Sequence, residues 1–125
     1  MKAIKYKHHQ KERRPSKEFI NSSNRFIGFA RINPLLPDAL DILKTEYNNG
    51  MRGVKLYATN DGFDVSCDCN TIYEYCEKMK LPIVIHFGMT IGGKSDLFHG
   101  NPVMLSRVLR EYPNITKSLR ICTHT

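Results

Sequence analysis

The sequence predicts an α/β protein with about four parallel strands and three intervening helices. Two observations predict it. Short apolar runs alternate regularly with segments whose apolar residues recur at the helical period. The runs are also apolar on both faces, which is typical of parallel strands covered by helices, whereas a sheet open to solvent alternates polar and apolar residues. The choice between an open sheet and a closed barrel is not decided by these patterns.

The elements follow one another in a regular order along the chain. Four short apolar runs predict the strands, at 26–32, 53–58, 83–86 and 119–124. The first helix is predicted to open at Pro37-Asp38 and to close at Asn48-Asn49-Gly50. The second begins with Asn70 as its cap and ends before Leu81-Pro82, and the third runs from Asn101-Pro102 to Pro113-Asn114. A turn is predicted at Asn60-Asp61-Gly62, and a loop at 87–100.

Charge divides the chain into two regions. Residues 1–18 hold seven lysines and arginines against two glutamates, although the whole chain has a net charge of only +7. We therefore interpret 1–24 as a basic N-terminal arm and 25–125 as the folded domain, and we expect no specific nucleic-acid partner. No apolar run is long enough to span a bilayer, and because lysine and histidine rather than an apolar stretch follow the first residues, we expect no secretory signal. The expected compartment is the cytoplasm.

Two histidines stand where parallel α/β folds place their functional groups, at the carboxyl ends of strands. His86 ends the third predicted strand and His124 ends the fourth. Neighbouring strands lie about 5 Å apart, so the two imidazoles could share one metal ion. A satisfied core histidine is the alternative for each of them. Arg31, near the end of the first strand, could bind a substrate carboxylate as a bidentate fork, with a surface salt bridge as the alternative.

Four motifs in the same order resemble one known family. They are Arg25-Phe26-Ile27-Gly28-Phe29-Ala30 with Asn33-Pro34, the segment 50–56, the segment 81–88, and the region from Asn101-Pro102 to 121–125. From residue 25 onward the chain resembles the amidohydrolase-related family of metal-dependent hydrolases and decarboxylases. That resemblance implies that 25–125 form part of a (β/α)₈ TIM barrel. It also implies a divalent metal, zinc or else manganese, at the C-terminal face of the barrel.

The resemblance also implies roles for single residues. His86 matches the metal ligand on the fifth barrel strand. His124 matches the histidine on the sixth strand, which binds a second metal in some members and acts catalytically on water or on a proton in others. Lys55 matches a family lysine near the fourth strand, for which we prefer a structural ion pair.

The chain also departs from the family pattern. The family has a His-x-His pair on its first strand and an aspartate on its eighth, and the adjacent His8-His9 do not replace that pair. Complete barrels have about 250 residues. We therefore expect an internal fragment of a metal-dependent hydrolase that acts on amide, ester or lactone carbonyls of a small molecule. The alternatives are a decarboxylase of the same family and a non-catalytic product of a truncated or split gene. Exposed strand edges would favour a homo-oligomer.

Overall fold

A single parallel sheet organises the described part of the chain. The computed structural model describes residues 3–8, 26–87, 102–116 and 119–123. Within these residues the sheet has five strands in the order β1-β2-β3-β4-β5. The strands are β1 (Ala3–His8), β2 (Phe26–Arg31), β3 (Met51–Tyr57), β4 (Ile83–Phe87) and β5 (Leu119–Thr123).

The strand order identifies the type of α/β fold. Every strand pairs in parallel with the next strand of the chain. A doubly wound open sheet reverses its order at a switch point, whereas a (β/α)₈ barrel keeps its strands in sequence. The described part is therefore a partial barrel-type α/β fold, which confirms the predicted fold class.

β1 was not predicted. Its residues Ala3–His8 lie within the segment that we interpreted as a basic arm, yet they pair with β2 over six positions, from Ala3 with Phe26 to His8 with Arg31. The sequence pattern did not predict this strand, because its two lysines and its histidine interrupt the apolar run expected of a buried strand. Charged residues are nevertheless common in strands at a sheet edge, and β1 lies at one edge of the order. The division of the chain at residue 24 stays a prediction.

The helices connect consecutive strands. They are α1 (Ala39–Asn48), α2 (Ala58–Asp61), α3 (Asn70–Met79), a 3₁₀ turn at Pro102–Leu105 that leads into α4 (Ser106–Glu111), and α5 (Pro113–Thr116). The three predicted helices correspond to α1, α3 and the 3₁₀ turn with α4. None of the helices in the described part of the chain combines the length and apolar character that crossing a bilayer requires.

Two local predictions were wrong. Asn60 and Asp61, predicted in a turn, belong to α2, which ends at Gly62 with a left-handed φ of 73°. Asn70 lies inside α3, whose N-cap is Cys69, and the Asn70 side chain instead accepts a hydrogen bond of 3.1 Å from Arg107. The predicted break at Pro113 is confirmed, because α4 ends at Glu111. Pro113 then begins the separate short helix α5, since proline fits the first turn of a helix.

The hydrophobic core lies between one face of the sheet and the helices. The strands contribute Ala30, Val54, Leu56, Ile83 and Ile85, and the helices contribute Leu43, Ile72, Tyr73, Cys76 and Val108, all of them buried. Tyr73 is fully buried in α3. Its hydroxyl donates a 2.9 Å hydrogen bond to the carbonyl oxygen of Val65, which satisfies the one polar group of an otherwise apolar ring.

Gly53 allows an aromatic ring to lie against β3. Two residue steps on β2, from Gly28 to Ala30, correspond to three on β3, so β3 bulges beside Gly53. A Cβ atom at Gly53 would lie 2.6–2.7 Å from three ring atoms of Phe29, which is buried. Phe29 precedes Arg31 by two residues, so both side chains lie on the face of the sheet opposite the core helices.

We expect Gly53→Ala to lower the free energy of unfolding by about 1–3 kcal/mol, the usual cost of overpacking. The added methyl group would displace the Phe29 ring, and this outweighs the smaller gain from a stiffer unfolded chain. Urea denaturation followed by circular dichroism measures the change. In a Phe29→Leu background the same substitution should cost much less. An undiminished cost in that background would show that the ring is not the cause.

Candidate active site

Four polar or aromatic side chains share the face of the sheet opposite the core. Register pairs Arg31 with Lys55 and Tyr57 with His86. Partners in parallel strands point to the same side, and Lys55 and Tyr57 are two residues apart, so all four belong to one face. Arg31 is the last residue of β2, and His86 is the last but one of β4. Lys55 and Tyr57 lie within the last three residues of β3. The sheet therefore gathers them at its carboxyl edge.

The charged and titratable members of this group are removed from solvent. Arg31 is 5% exposed, Lys55 is 3% exposed and His86 is 5% exposed. Such burial is rare for arginine and lysine and requires compensating contacts. Buried charged groups that cluster at one place are typical of a functional region, although structural ion-pair networks also contain them.

Asp61 supplies one compensating contact. Arg31 Nη2 donates to Asp61 Oδ1 over 2.6 Å, and both side chains are 6% exposed. The short helix α2 follows β3 directly, which brings its last residue back over the carboxyl edge of the sheet. A charge-assisted contact of this length in a buried position fixes the guanidinium group.

Tyr57 lies at the centre of the group. The Cζ atom of Arg31 lies over its ring at 4.8 Å from the centroid, and the Lys55 Nζ atom lies over it at 5.0 Å. The imidazole of His86 contacts the same ring, with centroids 5.5 Å apart and planes inclined by 34°. Aromatic faces attract cations, so the ring offsets part of the cost of burying both charges.

The structure brings together some of the predicted site residues. Arg31 and His86 lie in one group at the carboxyl edge, and Lys55 lies between them. Arg31 does form a salt bridge, as its alternative role required, but that bridge is buried rather than on the surface. His124, predicted as metal ligand and catalytic residue, lies outside the described residues, as does the loop segment 88–101.

A metal ion would find one suitable ligand here. The His86 imidazole has the position and burial of a ligand at a strand end. A catalytic zinc needs about three protein ligands. Among residues 26–87, 103–115 and 119–121, however, no three His, Cys, Asp or Glu side chains form a set that could hold a metal. The described residues thus fit a metal in part, and further ligands have to come from elsewhere.

The buried cysteines do not extend that set. Cys69 and Cys76 are free thiols in the core, on the helical side of the sheet. Burial raises the pKa of the Cys76 thiol to about 12, and burial likewise raises the pKa of Cys69. Because metals bind the thiolate, thiols that stay protonated at neutral pH are structural. This agrees with the reduced, structural role expected from their scattered positions.

Two members of the group were missed as functional candidates. Asp61 was interpreted as turn chemistry, and Tyr57 was noted only for sharing a face with Lys55. One signal could have indicated Asp61, because it follows a strand whose neighbour ends in Arg31. Two cations at one sheet edge require a carboxylate nearby.

The geometry agrees with the comparison to known protein families. No curated protein sequence matches the chain. A family model described as Amidohydrolase matches residues 8–123, which is most of the chain and begins inside the segment predicted as an arm. The sequential order of the parallel strands is the one expected of a partial barrel. The chain belongs to the amidohydrolase family.

Proposed function

We propose that this protein is the site-bearing part of a metal-dependent hydrolase that cleaves an amide, ester or lactone bond in a small molecule. The family match supports the reaction class. The observation that carries the proposal is the group formed by the buried Arg31, Lys55 and His86 around the partly buried Tyr57, at the carboxyl edge of three adjacent strands. Barrel enzymes place their active sites at that edge.

In this proposal His86 and His124 hold a divalent metal, zinc or alternatively manganese. His124 follows Thr123 directly in the sequence, and Thr123 pairs with Phe87, the residue after His86. Such a metal supplies an activated water at neutral pH and polarises a carbonyl group. The alternative role of His124 is catalytic, because an imidazole that does not bind the metal can take or give the proton.

Arg31 binds a carboxylate of the substrate. Guanidinium is a planar fork of N–H donors that matches the geometry of a carboxylate, and the contact with Asp61 shows this pairing within the chain. Lys55, paired in register with Arg31, adds a second positive charge at the same edge. Two buried cations strengthen the attraction for an anionic group, since charges interact more strongly away from water. The proposed substrate is therefore a small carboxylate with a hydrolysable carbonyl.

Metal content tests this proposal directly. We expect about one equivalent of zinc or manganese in the purified full chain, as a single catalytic site would hold. His86→Ala and His124→Ala should each lose it, whereas His99→Ala, a histidine that we do not assign to the site, should keep it. Hydrolysis of carboxylate-bearing lactones, esters and amides should follow the same pattern. If the chain holds no metal even after reconstitution, the proposed hydrolase activity is wrong. The chain would then be a non-catalytic member of the family.

Decarboxylation by the same group of residues is a second candidate. The observation that favours it is the position of two cations over the Tyr57 ring, which His86 contacts in turn, since these cations would hold a substrate carboxylate near the metal. Release of carbon dioxide from small carboxylates, without hydrolysis of lactones or amides, would select this reaction. The reverse pattern would select the hydrolase.

A further inference from the structure

Four side chains form a line of contacts that begins at Asp61 and ends at His86. Asp61 holds Arg31, Arg31 lies over Tyr57, and Tyr57 contacts His86. The line crosses from α2 to β2, then to β3 and β4. Residues from separate strand units are thus linked through one aromatic ring.

The first contact fixes the orientation of Arg31. Its guanidinium group is planar, with Asp61 Oδ1 at 2.6 Å from Nη2 and the Tyr57 ring centroid at 4.8 Å from Cζ. The hydrogen bond restrains the group within its plane, and the ring restrains it across that plane. Lysine could not replace it equally, because an ammonium group has neither the fork nor the flat face.

The second contact restrains the orientation of His86. The rings of Tyr57 and His86 are 5.5 Å apart and inclined by 34°, within the range of attractive aromatic pairs. A cation on the Tyr57 ring resists its rotation, because turning the ring would move its electron-rich face away from the charge. The plane of His86 therefore depends on where Arg31 and Lys55 hold Tyr57.

We propose that Tyr57 and Asp61 are positioning residues for His86, with Asp61 acting through Arg31 and Tyr57. The importance of this positioning for a metal or substrate rests on the function proposed above. The coupling between Asp61 and His86 is independent of that function, because it follows from contacts within the chain. Contacts around a ligating histidine set its ring orientation, which is how residues outside the ligand set influence a site.

The orientation of His86 can be observed in the full chain without any reaction. Nuclear magnetic resonance of the chain labelled with ¹⁵N records the imidazole signals, and His86→Gln assigns them. We expect Tyr57→Leu to move the His86 signals toward their positions in the denatured chain, whereas Tyr57→Phe, which keeps the ring, leaves them in place. Asp61→Asn should move the same signals in the same direction. Asp41→Asn, the same substitution at an exposed residue of α1, should move none.

The outcomes separate this inference from the proposed function. Unchanged His86 signals in a folded Asp61→Asn chain would overturn the role of Asp61, whatever the metal content. Should Asp61→Asn fail to fold, Arg31→Lys decides, since it keeps a charge for Asp61 but loses the flat group over Tyr57. Unchanged signals in that variant would likewise overturn the coupling. A chain that binds no metal yet shows the expected shifts would leave the coupling intact and refute only the hydrolase.

Discussion

Replacing Asp61 with asparagine is expected to lower the free energy of unfolding by about 3–5 kcal/mol, the cost of removing one partner from a buried ion pair. Both side chains of the Arg31–Asp61 pair are 6% exposed and their contact is 2.6 Å long. The substitution leaves the guanidinium charge buried without the carboxylate that it contacts. Urea denaturation measures the loss, with the same slope of unfolding free energy against urea concentration used for both proteins.

Two further variants make this result specific. Asp41→Asn removes a carboxylate from an exposed position on α1, and it should change stability by no more than about 0.5 kcal/mol. The double substitution Arg31→Met with Asp61→Leu should recover much of the loss, because apolar residues of similar size often replace a buried ion pair without cost. A loss in Asp61→Asn no larger than that in Asp41→Asn would show that the pair is open to water in solution.

Ile85→Ala is expected to destabilise the protein by about 2–5 kcal/mol, the usual range for removing a large aliphatic side chain from a core. Ile85 is 0% exposed and lies between the sheet and the helices. Its truncation removes apolar contact and leaves a cavity that the neighbouring strands cannot close. The free energy of unfolding in urea again provides the measurement.

The adjacent strand offers a matched control. Ile121 pairs in register with Ile85, so both side chains lie on the same side of the sheet, yet Ile121 is 50% exposed. Ile121→Ala should therefore cost about 1 kcal/mol or less, since little apolar area returns to water. Equal losses at the two positions would show that Ile121 is covered in solution. The homo-oligomer expected from strand edges would then gain support.

Local patterns in the sequence were sufficient to predict most of the sheet and the helices that cover it. The strands β2 to β5 and the helices α1 and α3 were predicted because apolar runs and helical periodicity depend on neighbouring residues. β1 was missed because a strand with lysines resembles a solvated arm until a partner strand is known. Side-chain alternation places Val54, Leu56, Ile83, Ile85 and Ile121 on one face of the strands, and the first four are buried whereas Ile121 is half exposed.

The candidate site was only partly accessible to the same reasoning. The positions of Arg31, Lys55 and His86 at one sheet edge follow from strand ends and side-chain alternation. The contact between Arg31 and Asp61 joins residues thirty positions apart, and no local pattern encodes it. The metal role of His124, the cytoplasmic location and the lack of a nucleic-acid partner stay predictions.

The sequential order of the strands has a consequence for how such a protein can change in evolution. Each of the five described strands pairs with the strand next to it in the chain, so no connection in this sheet has to pass over an intervening strand. A strand-and-helix unit can therefore be duplicated or deleted at either side of the sheet without rethreading the rest. Repetition of one simple unit is enough to generate the architecture.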